Sequence, residues 1–147
     1  MEDNVKVSGK VKLIVRDAET GTILQVMEGK NLITMAGKSL IASLLNGESV
    51  SLIGYCAVGS GTTTPSASDT TLEGEIGRLP ITSKSRSGNV ITYSTFFGSG
   101  DLNGTWNKVG LFNAQTGGVM FSEYLLPSTI NKDATKTVDI EYAITIG

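Results

Sequence analysis

The run Val138-Asp139-Ile140-Glu141-Tyr142-Ala143-Ile144-Thr145-Ile146-Gly147 decides the fold. Val138, Ile140, Tyr142, Ile144 and Ile146 share one parity, while Asp139, Glu141, Ala143 and Thr145 take the other. A period of two is the mark of a β-strand with one face on a core and one on solvent. So many core positions lie in this strand that a carboxy-terminal truncation is expected to prevent folding. Working outward to the other end of the chain, Val5, Val7, Gly9, Val11, Leu13 and Val15 alternate in the same way with Lys6, Ser8, Lys10, Lys12 and Arg16. Glu19-Thr20-Gly21 then reads as a turn, and Thr22 to Glu28 as the return arm. The resulting hairpin, residues 5–28, is suited to packing on its own chain or on a neighbouring subunit.

The segments between follow the same logic. Ser51 to Val58 reads as a mostly apolar strand. Leu79 to Arg86 and Val90 to Phe97 flank Ser87-Gly88-Asn89, and Thr105 to Asn113 and Val119 to Leu126 flank Gln115-Thr116-Gly117-Gly118, which gives two further hairpins. One stretch has helical spacing. Thr34 is placed to cap it, Leu40, Ile41, Leu44 and Leu45 fall on one face, and Asn46-Gly47 supplies a left-handed stop. Burying that stripe is worth roughly 1.5 to 3 kcal/mol per large aliphatic side chain, so Leu44→Ala is expected to destabilise the fold. Residues 1–147 contain no internal repeat, linker or low-complexity segment. The expectation is a single, mainly β domain: an antiparallel β sandwich or barrel, jelly-roll-like, with one short packed α-helix.

Composition removes several functions. The 147 residues include no histidine, which takes away the commonest general base and metal ligand. Cys56, the single cysteine, has no intrachain disulfide partner and reads as a buried strand residue. A net charge of −2 and a pI near 5.1 give no field for nucleic acid. Lys6, Lys10 and Lys12 read as one solvated strand face. No apolar run approaches the roughly twenty residues that span a bilayer, and the acidic first residues lack the order of a signal peptide. No cofactor, metal or membrane insertion is expected.

The stretch Ala57-Val58-Gly59-Ser60-Gly61-Thr62-Thr63-Thr64-Pro65 imitates a phosphate loop. It lacks the lysine such a loop requires, and Pro65 follows, so it reads as a turn leading to a short helical turn capped by Ser68 or Asp69. Asp69, Glu73 and Glu75 are too few and wrongly ordered for a calcium loop, and nothing places two of them across a glycosidase cleft. Ser60, Ser68 and Lys84 have no spacing that selects a nucleophilic site. No catalytic residue is assigned. Asn103-Gly104-Thr105 matches a glycosylation acceptor formally, but reads as a turn.

Three motifs occur in order: Lys30-Asn31-Leu32-Ile33-Thr34-Met35-Ala36-Gly37-Lys38, the glycine loop with Ser68-Asp69-Thr70, and Asn103-Gly104-Thr105-Trp106 with Gly110-Leu111-Phe112-Asn113. Together they resemble bacteriophage virion proteins, a group of small capsid decoration (cement) proteins and tail-fibre or baseplate domains. The resemblance runs from about Val5 to the end, and Met35 departs from the small polar residue of many relatives. It implies a non-enzymatic structural protein, a β sandwich or barrel that assembles as a homotrimer in the virion after synthesis in the bacterial cytoplasm. The implied partner is the phage major capsid protein. The alternative is a tail-fibre, baseplate or receptor-binding adhesin module that meets other tail proteins or a host surface glycan, through aromatic faces such as Tyr93 or Trp106. From the residues themselves, Trp106, Phe112, Phe121 and Tyr124, beside Leu125 and Leu126, are candidate interface residues, with burial in a monomer core as the competing reading.

Overall fold

The computed structural model describes residues 6–147. Val5 of the expected first strand and the acidic first residues lie outside them. The described chain forms nine strands and one helix: β1 Val7–Asp17, β2 Ile23–Ile33, α1 Met35–Leu45, β3 Tyr55–Gly59, β4 Glu75–Pro80, β5 Ser83–Ser87, β6 Val90–Phe97, β7 Gly104–Phe112, β8 Met120–Lys132 and β9 Lys136–Ile146. All neighbouring strands are antiparallel, in the order β4-β3-β7-β8-β2-β1-β9-β6-β5. The alternating run of β9 lies at the centre of one half, between β1 and β6. Its Val138, Ile140, Tyr142 and Ile144 are buried, as are Val11, Leu13 and Val15 of β1.

β2 is the seam. It pairs with β1 from Ile23 to Asn31, then turns to β8 through Leu32 and Ile33. The sheet therefore curls into a half-barrel whose two halves face each other across one core. Phe97 of β6 meets Trp106 of β7 edge-on, with ring centroids 4.9 Å apart. Cys56 of β3 lies 4.0 Å from the Tyr142 hydroxyl of β9. The edge strands β4 and β5 are consecutive in sequence and joined only by Ile81 and Thr82, which holds the two edges of the half-barrel close together.

That junction corrects one expectation. Leu79 to Arg86 is not a single strand: it divides between β4, paired with β3, and β5, paired with β6. Pro80 has no N–H to continue a ladder, and Thr82 instead donates its N–H to Ser94 O at 2.7 Å. The expected strand from Ser51 is also shorter, beginning only at Tyr55. Ser68 and Asp69 start no helical turn, because Asp69 closes a local turn by accepting the Ser66 N–H at 2.9 Å.

The helix keeps its predicted ends. Thr34 accepts the Gly37 N–H at 2.9 Å and Gly47 takes a φ of 75°. Its apolar stripe is only partly covered. Leu40 is buried, Ile41 half-buried, Leu44 37% exposed and Leu45 84% exposed. The reason is the docking: α1 leans on β8 by its first turns, where Gly37 lies so near the Phe121 carbonyl that a Cβ would collide. Farther along, the helix lifts away. Leu44 is still about two-thirds covered, so Leu44→Ala removes less buried surface than a change at Leu40, while Leu45 contributes almost none.

Candidate functional site

The glycine loop folds back over the outside of β7 and β8. Ser60 and Gly61 donate their amides to the carbonyls of Gly74 and Glu73, both at 3.0 Å, so residues 60 to 74 form a closed flap. Inside it the Glu73 carboxylate accepts the Thr63 N–H at 2.9 Å and the Thr63 hydroxyl at 2.7 Å. These bonds, hydroxyl first, hold Glu73 below the usual carboxylate range. The glycines make the room: the Glu73 side chain fills the place where a Cβ on Gly61 would stand. The loop thus cradles an anion, as its composition suggests, but the anion is the chain's own carboxylate.

Under the flap lies a charged cluster within the sheet. Lys108 of β7 and Glu123 of β8 are each 1% exposed. Lys108 Nζ donates to Glu123 Oε2 at 3.1 Å and stands 3.6 Å from Glu73 Oε1. Glu123 sits opposite Gly110 and Lys108 opposite Leu125, so the two charges meet diagonally across the ladder. Burial pushes Glu123 up to about 7, and Asp69 beside it adds to the rise while Lys108 opposes it. The same contact with Glu123, followed by the Ser66 amide, holds Asp69 below its ordinary value. Glu123 Oε1 and the neighbouring Ser122 hydroxyl have no hydrogen-bond partner among the described residues.

Lys108 and Glu123 were not singled out from sequence, although a signal exists. Both are charges inside otherwise apolar strand runs, and the Gln115–Gly118 turn sets a register that brings them to one face. Asp69 and Glu73, too few for a calcium loop by sequence, both join this cluster. Glu75 goes elsewhere: it pairs with Arg78 at 2.8 Å, whose guanidinium stacks on the Phe112 ring at 3.5 Å. No hydrogen bond or ion pair joins Lys84 to Ser60 or Ser68. Among the described residues no group of three or more acidic or cysteine side chains is arranged to hold a metal ion. Burial pushes the Cys56 thiol up to about 12, which leaves it a packing residue.

The candidate interface residues lie inside the chain's own core. Trp106 is 0% exposed, Phe112 1%, Phe121 2% and Tyr124 7%. The Trp106 indole donates to Leu102 O at 2.8 Å, so even its polar handle is satisfied internally. None of the four has surface left for a partner in this fold. Nor has Trp106 a free face for a glycan, and Tyr93 is half-buried. Asn103 is exposed, with its side-chain oxygen accepting from Lys132 Nζ at 2.8 Å. Comparison with known proteins adds no assignment: no family model matches the chain, and no curated protein or solved structure matches it significantly.

Proposed function

We propose that the chain is a non-enzymatic structural protein of a bacteriophage virion: a homotrimeric decoration protein that binds the major capsid protein lattice and stabilises the head. The observation that carries this reading is a run of exposed apolar side chains at the end of α1 and just beyond it. Leu45 is 84% exposed and Leu52 59%, with Leu44 just before them and Val50 between them each a little over one-third exposed. Large apolar side chains gathered in one short stretch of surface mark a contact region. The chemistry elsewhere fits binding better than catalysis, since the Lys108–Glu123 pair is closed under a flap and Glu73, the exposed member of the cluster, is held by Thr63. The ordered motifs quoted above supply the virion context, and trimers with a repeated patch suit closed cyclic symmetry.

Mass measurement in solution and imaging of particles test the proposal together. A trimer at micromolar concentration is expected, with Leu45→Asp and Leu52→Asp reducing it to monomer while keeping the native circular dichroism spectrum, and with an unfolding midpoint that no longer depends on protein concentration. Electron microscopy is expected to place the protein over the head lattice. A monomer that is also absent from purified heads overturns the proposal, and density at the tail tip transfers it to the tail.

A further inference from the structure

The buried cluster does more than hold a charge. Lys108 Nζ is 3.1 Å from Glu123 Oε2, and the two side chains keep only 2% and 1% of their surface. Charges so far from water carry a desolvation penalty that their attraction offsets only when every remaining polar atom is satisfied. Here one is not: Glu123 Oε1 meets no hydrogen-bond donor among the described residues, only the neighbouring Asp69 carboxylate. Two further carboxylates converge on the pair: Asp69 acts on Glu123, and Glu73, fixed by Thr63, stands 3.6 Å from the ammonium. Two paired strands thus hold an amine against a carboxyl group it already touches, and the flap over them brings a neighbouring proton acceptor, Asp69.

The geometry points to an intramolecular amide bond between Lys108 Nζ and Glu123 Cδ, formed by the folded chain on itself. Lys108 passes a proton to the Glu123 carboxylate, and its freed lone pair attacks Cδ of the resulting acid to form the C–N bond. The nitrogen then loses a second proton, which Asp69 carries to a departing Glu123 oxygen, and that oxygen leaves as water. One ammonium and one carboxylate become one secondary amide and one water, with no oxidant, reductant or co-reactant. Holding the groups in contact supplies the effective concentration that free amines and acids lack. The product has no buried charge, which removes the penalty of the starting pair. The bond ties β7 to β8 around the Gln115–Gly118 turn, whether or not the protein decorates a capsid.

Intact mass of the full chain under denaturing conditions tests this directly. The expected mass is lower than that of the sequence by one water, and a digest should yield one branched peptide joining residues 108 and 123. A protease site inserted in the Gln115–Gly118 turn gives a second readout: after cleavage the halves stay together in denaturant and reductant, and the single cysteine excludes an intrachain disulfide as the cause. Lys108→Met restores the mass calculated from its sequence and lets the cleaved halves part. Asp69→Asn slows bond formation roughly a hundredfold while keeping the native circular dichroism spectrum. Full unlinked mass in the folded wild-type chain after prolonged incubation at neutral pH overturns the inference. So does a branch that joins Lys108 to Asp69 or Glu73 instead.

Discussion

The two halves of the curled sheet are built on different rules. In the β1–β9–β6 half the ladders run without interruption, from Val7 opposite Ile146 to Asp17 opposite Lys136, and from Val90 opposite Thr145 to Phe97 opposite Val138. One face is core and the other is open. In the β7–β8 half the ladder shifts twice, and Leu126 to Thr129 bulge opposite the single residue Asn107. There both faces are covered, one by the opposing half and the other by the 60–74 flap and α1, so that all residues from Lys108 to Phe112 are buried. A strand with one covered face advertises it by alternation. A strand covered on both sides does not, and it can enclose charge.

The sharpest break in this arrangement is Trp106→Ala, at the point where the halves meet. Trp106 packs against Phe97 and is fully buried, so truncation leaves a cavity and is expected to lower stability by about 3 to 5 kcal/mol. Denaturant unfolding checks it. A variant that unfolds normally but loses self-association would return Trp106 to an interface.

Two ion pairs compare the halves more closely. Lys108→Ala leaves Glu123 buried without its partner and is expected to cost about 3 to 5 kcal/mol, a measurement that also removes any covalent link made by Lys108. Arg16 and Asp139 make an equally short contact, 3.0 Å, on the open face, with side chains 35% and 43% exposed. Arg16→Ala is expected to cost less than about 1 kcal/mol, and less again in high salt. Equal losses from the two variants would abolish the distinction drawn between the halves.

What the sequence discloses follows the same division. β1, β9 and the Glu19–Gly21 turn can be read from the sequence, because alternation and a glycine turn both report a strand with one wet face, whereas the glycine-free Asp133–Thr135 turn into β9 gives no such signal. The mainly antiparallel β class follows from them. The buried Lys108–Glu123 pair is hidden because a charge in a strand normally signals solvent, and only the flap, a contact distant in sequence, reverses that meaning. Pro80 did carry a local signal for the break between β4 and β5. The helix misled in the opposite direction: spacing places four apolar residues on one face but cannot say how far that face stays in contact. Leu40→Ala is accordingly expected to cost about 2 to 4 kcal/mol, whereas Leu44→Ala should cost less, about 1 to 2 kcal/mol. Thermal unfolding of the pair would separate covered helix from uncovered.

The smallest effect concerns the regular half, where carboxylates secure turns rather than buried charges. Asp17 Oδ1 accepts the amides of Thr20 at 2.9 Å and Glu19 at 3.0 Å, and these bonds lower its pKa from 3.8. Asp133 does the same between β8 and β9, lowered first by the Thr135 hydroxyl and then by its amide at 2.9 Å. The Ala18 amide donates to Thr135 O at 2.8 Å, so the two turns brace one end of the sheet. A depressed folded pKa means that stabilisation is present above the unfolded value and is lost as pH falls through the folded one. Between about pH 5 and pH 2 the wild-type chain should therefore lose stability more steeply than Asp17→Asn, in which the amide still accepts a hydrogen bond but does not titrate. Adding Asp133→Asn should flatten the curve further. If the slope is unchanged in both variants, acid sensitivity belongs to the flap, where Glu73 and Asp69 are depressed as well, and the open half tolerates acid without help from its turns.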